Sequence, residues 1–393
     1  LFGMIMLMHH VVRHHIHNVK FLERNRMYWT MALKTFAVSL VGVFVPAYLY
    51  KLGYSLKLIF IYFLIREVTE LLMVIPTTWS MQLNGVKQTY AAGSFLTLIN
   101  LFLLYLLPTH REAFVAAALV EGLAISLFFL PYHYMFSSAI TTKHGGGQVG
   151  LMDVLVSLVT ALGPLVGGII AAKTSLQMVL LIALGFVGVG LLPLFRKSKP
   201  ERLQGFSAVR AIGMLVSRDS VSNMGFGITE MVATIVWPLF IYLIVKNYET
   251  VGIVISASLI IIIILDVLAG YLTDKGEQER LLRFGSMSSA TIHVVRIVAS
   301  SVTSVMLVNI ASDITHTLFR IPWTREFYKH ANRQRGTYIA AMELGVCVGR
   351  TLLWLVLIIA TNHVAGHTFM LFAFVLGALG SLFVPVIMPS KRR

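Results

Sequence analysis

The chain has 393 residues, of which 57% are hydrophobic and only 12% charged, with a mean hydropathy of +0.80. A soluble domain carries about a quarter of its residues as charged side chains, so lipid is the natural solvent for this much apolar material and a water-soluble fold is excluded. The net charge of +15 would suit nucleic acid, but the basic residues collect in alternate loops, which is a membrane-topology signal.

The chain begins at Leu1 with an apolar run to Met8 that is too short for a span. The run also lacks the basic start and small-residue cleavage site of a signal peptide. His9, His10, His14, His15 and His17 follow. Three of them, His10, His14 and His17, share one helix face at a metal-binding spacing, but no acidic partner is near. Residues 1–29 therefore read as a cytoplasmic or interfacial segment, an amphipathic helix at the membrane surface.

A crossing needs about 20 apolar residues. Apolar runs place twelve at 30–50, 56–82, 89–107, 112–136, 147–172, 174–195, 221–246, 251–272, 282–300, 302–324, 336–360 and 366–388. Lys143-His144-Gly145-Gly146-Gly147, between spans 4 and 5, has neither the Gly-Lys-Ser/Thr ending nor the preceding strand of a phosphate loop and reads as a flexible connection. Residues 196–220, with Arg196, Lys197, Lys199, Arg202, Arg210 and Arg218 and a turn at Pro200, form a cytoplasmic linker between two six-helix bundles, 30–195 and 221–389. A basic tail closes the chain at 390–393.

Connections on one face of this arrangement hold 22 of the 32 Lys and Arg residues and those on the other hold five, Lys51, Lys57, Arg111, Lys173 and Lys246. That asymmetry puts both termini in the cytoplasm and requires an even number of spans. The compact loops suggest a bacterial cytoplasmic (inner) membrane.

The halves are weak repeats. Leu130-Pro131-Tyr132 ends span 4 and Ile321-Pro322-Trp323 ends span 10; Gly146, Met152 and Asp153 face Gly336, Met342 and Glu343 at one constant offset. Together they favour a duplicated unit. The single cysteine, Cys347, excludes a disulfide framework and a Cys-based metal site, and reads as a helix-packing residue.

The loop after span 8 reads Gly270-Tyr271-Leu272-Thr273-Asp274-Lys275-Gly276, then Arg280. Glycine admits close helix approach, and an acid at a helix end can pair with a neighbour and latch one face shut. This loop resembles the signature of the major facilitator superfamily, in which it follows both span 2 and span 8. Here the first copy, Trp79 to Lys87, has no acid. Span 5 carries Gly163-Pro164-Leu165-Val166-Gly167-Gly168, similar to the fifth-span motif of that family's antiporters and also suited to small-residue helix packing. The resemblance implies two bundles around a cavity that opens to each side in turn, lined by spans 1, 4, 7 and 10.

Ionisable groups at the bilayer centre cost about 2.5–3.5 kcal/mol or more and need partners or water. A middle layer holds Arg66 and Glu70, Glu121, Glu230, Asp313 and His316, and Arg350. Glu121, Glu230 and Asp313 are candidate proton carriers, with His316 one turn from Asp313 and placed to share its proton; a buried structural hydrogen bond is the other reading of each. Arg66 and Glu70 bind substrate or pair along one helix face. Glu67 projects elsewhere, with no partner assigned. Arg350 offers a planar fork for an anionic substrate group or for a carboxylate. Nearer the cytoplasmic mouth, Asp153, Asp266, Arg320 and Glu343, with Asp274 and Lys275 at the loop, read as a gate or as fixed interface charges. Arg296 snorkels outward without a role.

The sequence thus predicts an all-α integral membrane protein, a monomer with no metal or cofactor, whose partners are the bilayer, protons and a small organic solute of unassigned class. No enzyme signature or nucleic-acid site stands out. The expected function is secondary transport by alternating access, proton-coupled, with export by antiport favoured over uptake. The alternatives are a non-transporting receptor or assembly partner and a lipid-handling protein. Trp237, Tyr242 and Trp323 suit either stacking on a solute or the membrane interface.

Overall fold

The computed structural model describes residues 20–139, 145–195, 201–331, 335–364, 368 and 370–388, with side chains from residue 30 onward apart from 138, 139, 145–153, 155 and 195. The N-terminal histidines, Lys143, His144 and the Arg196–Pro200 stretch lie outside the described residues, as does the side chain of Asp153. All regular structure among the described residues is helical.

Among the described residues, ten helical stretches are long and apolar enough to cross a membrane by length and composition. Span 1 is Thr30–Lys51, broken before Pro46, and spans 3 to 6 are Val86–Leu106, Ala113–Ala139, Gly145–Lys173 and Leu176–Leu191. Span 7 is Arg218–Val245; spans 10 to 12 are Val302–Ala331, Arg335–Ala360 and Met370–Phe383.

The other two crossings have physical reasons for standing apart. Leu56–Leu83, span 2, is long enough but carries Arg66, Glu67 and Glu70 in its middle. The apolar stretch Tyr248–Val298 holds two spans. Span 8, Tyr248–Leu272, turns at Ala257-Ser258, and span 9 is Gln278–Val295; they part at Gly276, whose φ of 98° suits glycine. Gly145–Gly147, expected in a flexible connection, begin the helix of span 5 instead.

Local chemistry shapes span 7. Pro238 has no N–H to donate, and the helix widens into a π turn over Val232–Val236, two residues after Glu230. Span 4 contains Pro131 and span 10 contains Pro322 at the repeat-related positions.

Packing sorts the helices into two groups. Span 4 packs on spans 2 and 3, and span 1 on 5 and 6; in the second half, span 7 packs on 11 and 12, and span 9 on 10 and 12. The groups join where span 5 lies on span 8 and span 2 on span 11. The span 5 motif makes the first junction. Any side chain at Gly163 would strike Ser39 and one at Gly167 would strike Leu40, both on span 1, while a Cβ at Gly168 would lie 2.6 Å from the Tyr248 carbonyl oxygen on span 8. From the facing helix, Gly252 packs on Pro164 and Gly168. Small residues let these backbones touch, as association in lipid requires. Gly252→Ala is expected to cost about 1–3 kcal/mol by overpacking against immovable backbone, read as a lower unfolding temperature in detergent; an unchanged temperature would contradict this packing.

Candidate functional site: a buried charge cluster at the junction of two halves

Spans 2, 4, 7 and 11 meet around seven ionisable side chains. Span 2 supplies Arg66, Glu67 and Glu70; Glu67 and Glu70 are fully buried. Span 4 supplies Glu121, span 7 Glu230, and span 11 Glu343 and Arg350. Gly122 beside Glu121 sets the distance between spans 2 and 4, since a Cβ there would lie 2.7 Å from that of Thr69.

Arg66 gives its Nε to Glu67 Oε1 at 3.0 Å, its second terminal nitrogen to the same oxygen, and Nη1 to Glu121 Oε1 at 3.2 Å. The Tyr62 hydroxyl donates to the other Glu121 oxygen at 2.6 Å, and the guanidinium lies over Phe63, 4.8 Å from the ring centre. Arg350, from the other half, donates to Glu230 Oε2 at 2.7 Å, and its Nη1 stands 3.6 Å from Glu70 and 3.8 Å from Glu67. Each arginine is thus held by acids, and Arg350 reaches acids of both halves.

Three expectations are corrected here. Arg66 does not pair with Glu70 along its helix; it bonds Glu67 and Glu121. Glu67 does not project elsewhere; it is the direct partner of Arg66 and faces Arg350. Glu343 is not confined to a mouth-side layer, because its carboxyl lies within hydrogen-bonding reach of Glu70. Spacing held the signal for placing both Glu67 and Glu343. Glu67 and Glu70 are three apart on one face, and Glu343, Cys347 and Arg350 follow a single stripe of span 11. Cys347 is buried, with Sγ and oxygens of Glu67 and Glu70 all within 4.8 Å of one another.

Asp313 belongs to a second buried network, within the second half. It accepts hydrogen bonds from Ser258 and from Asn309 at 2.9 Å, and Asn309 also accepts from Trp237 at 3.1 Å. Arg296 is 1% exposed and does not snorkel outward. It donates to Ser312 at 2.6 Å, contacts His293 at 3.0 Å and lies over the Trp237 ring. His316 packs its ring on Phe226 and Phe319. Trp237 and Trp323 are buried rather than interfacial, with Trp323 stacked 3.9 Å from Phe226; Tyr242 stacks on Tyr248.

The proposed gate residues divide. Asp266 accepts from Ser157 across the span 5–8 junction at 2.8 Å and pairs with Arg320 at 3.4 Å. Asp274 pairs with Arg325 within the second half at 3.5 Å, and Lys275 lies over Tyr271. Contacts between the halves occur at both ends. At the linker end His133 and Tyr328 hydrogen-bond at 2.8 Å. At the opposite end Lys57 donates to Asn362 at 2.9 Å, and Phe63 stacks on Trp354 with ring centres 5.1 Å apart. The charge cluster lies enclosed between these contacts.

Paired six-helix groups around an enclosed polar centre define a transporter fold of the membrane. The family model for the Major Facilitator Superfamily matches residues 27–353, and the chain belongs to that superfamily of membrane transporters. Solved structures agree on the fold. The human organic anion transporter MFSD10 (TETRAN) aligns at a TM-score of 0.65 and 12% identity, covering 92% of this chain and 99% of that one. The E. coli fucose:proton symporter FucP aligns at 0.67 and 11%, covering 92% and 97%. The nucleoside transporter NupG aligns at 0.63 and 13%, also covering 92% and 97%. No curated protein matches by sequence.

Removing the cation from this cluster should cost more than removing an acid, because acids outnumber arginines. Arg350→Met leaves Glu67, Glu70 and Glu230 without it, a loss of about 3–5 kcal/mol; Glu230→Gln should cost clearly less. Equal losses in thermal unfolding would contradict this charge balance.

Proposed function

We propose that the chain is a secondary active transporter that moves a small organic solute by alternating access, coupled to protons. One observation carries the reading: two buried arginines, one from each half, are held by acids at the junction where the halves meet. Such pairs can be exchanged when a solute enters. A polar group of the solute takes a place on Arg350 or Arg66, and the displaced acids, Glu121 and Glu230, take up protons or new partners. A ligand that binds one arrangement better than another shifts the population between them, and carboxylates that lose their cation in a dry site favour the protonated form.

Asp313, with His316 one turn away, is a further proton carrier in this scheme. Asp266, Arg320 and Ser157 act as the linker-end gate. Both termini face the cytoplasm in this reading, on the strength of the Lys and Arg asymmetry, and the compact loops favour a bacterial inner membrane. Export in exchange for protons is favoured over uptake by the span 5 sequence Gly163-Pro164-Leu165-Val166-Gly167-Gly168 alone.

The test begins with thermal unfolding of the purified protein at pH 5.5 and 7.5, against sugars, amino acids, organic anions and organic cations. A ligand at about 100 times its dissociation constant adds roughly 2.7 kcal/mol, so one class should raise the unfolding temperature reproducibly and by different amounts at the two pH values. Transport of that class into proteoliposomes should then respond to an imposed pH gradient. Glu121→Gln and Asp313→Asn should each weaken that response; if both leave it intact, those two residues do not carry the proton.

A further inference from the structure

Five carboxyl groups, Glu67, Glu70, Glu121, Glu230 and Glu343, surround two guanidinium groups, so full ionisation would leave three more negative charges than positive ones in a largely buried site. The shortfall falls unevenly. Arg66 serves Glu67 and Glu121, and Arg350 makes its short contact with Glu230. Glu70 is left with an arginine nitrogen at 3.6 Å. Both its oxygens are buried, and neither receives a hydrogen bond from an N–H or hydroxyl group of the described residues. What they meet is the Glu343 carboxyl, from the opposite half of the molecule.

An ionised carboxylate only accepts hydrogen bonds, so two of them in contact repel; one acid and one carboxylate attract. We propose that Glu70 and Glu343 share a single proton across the junction of spans 2 and 11, and that this proton holds the two halves together in the closed state. When it leaves, the acid and carboxylate become two carboxylates and the proton passes to water on the side that opens. Repulsion across the junction then favours separation of spans 2 and 11.

The charged and titratable neighbours that bear on the pair come from each packed element. They are Arg66 and Glu67 on span 2, Glu121 and His133 on span 4, Glu230 on span 7, and Arg350 and Cys347 on span 11. Arg350 is the nearest cation to Glu70 and is already committed to Glu230, which is why the proton falls to the Glu70–Glu343 pair. This inference rests on the proton-coupled reading and names a site for it other than Glu121, Glu230 or Asp313.

Cys347 is the chain's single cysteine, buried beside Glu67 and Glu70, so it reports opening of this junction without any engineered label. Its reaction with N-ethylmaleimide is measured in nanodiscs from pH 5.5 to 8.5. Thiol ionisation alone raises the rate at most about tenfold per pH unit. Loss of the shared proton adds up to another tenfold, so the wild type should approach a hundredfold per unit over part of the range. Glu70→Gln and Glu343→Gln each put an amide in place of the protonated acid, able to donate to the remaining carboxylate, and should keep only the tenfold slope. Altered charge near the thiol moves the midpoint of its ionisation but not that slope. Either variant suffices if the other does not fold.

Equal slopes in the wild type and in a folded variant would overturn the shared proton. So would sodium ions at fixed pH slowing the reaction as acid does, since the site would then hold a metal cation. A steep wild-type slope without any pH-gradient response in transport would keep the shared proton and remove proton-coupled transport. Gradient-driven transport that survives both glutamine variants, with their slopes unchanged from wild type, would do the reverse.

Discussion

Two guanidinium groups that cannot lose their charge sit in the middle of this helical bundle, and the rest of the structure is arranged around keeping them there. An arginine in lipid needs acids or water. Arg66 and Arg350 draw theirs from spans 2, 4 and 7. The backbone follows from that demand, since Gly122 brings span 4 to Thr69 of span 2. The widened turn at Val232–Val236 follows Glu230 where span 7 meets span 11. A cluster shared by both halves is tight when they are together and costly when they part, which is why the proposed transport cycle puts the solute and the proton there.

The second network behaves differently. Arg296, His293, Ser312, Asn309, Asp313, Trp237 and Ser258 tie spans 7, 8, 9 and 10 to one another within a single half. Bonds of this kind stiffen one bundle, while His133 to Tyr328, Lys57 to Asn362 and Ser157 to Asp266 cross between bundles. Bonds that stiffen each half, with breakable ties between them, suit the proposed rocking of one half against the other.

The fold was largely legible in the chain because hydropathy and Lys/Arg placement act over whole spans. Span 2 was found by length despite Arg66, Glu67 and Glu70, and the division of the Tyr248–Val298 stretch was visible at Gly276. The site was legible only in part. Depth along a helix follows from residue number, so Arg66, Glu121, Glu230 and Arg350 were placed in one layer. Reach does not follow from residue number. A long arginine spans the gap between helices, which carries Arg350 to Glu70. Arg296 is a related case: His293 lies on its own span, but Ser312 and Trp237 lie on other spans, where no local pattern announces them. Gly145–Gly147 read as a flexible connection from their composition, yet they begin the span 5 helix.

The central claim is that two halves joined at the charge cluster move against each other. Spin labels on both halves at each end test it most directly, in a Cys347→Ser background: one pair at positions 57 and 362, the other at positions 83 and 275. Distances are read at pH 5.5 and 8.5. Reciprocal changes, one pair lengthening as the other shortens, are what the account predicts. Distances that stay fixed at both ends across pH and with the solute that raises thermal stability would contradict it and leave a static membrane protein.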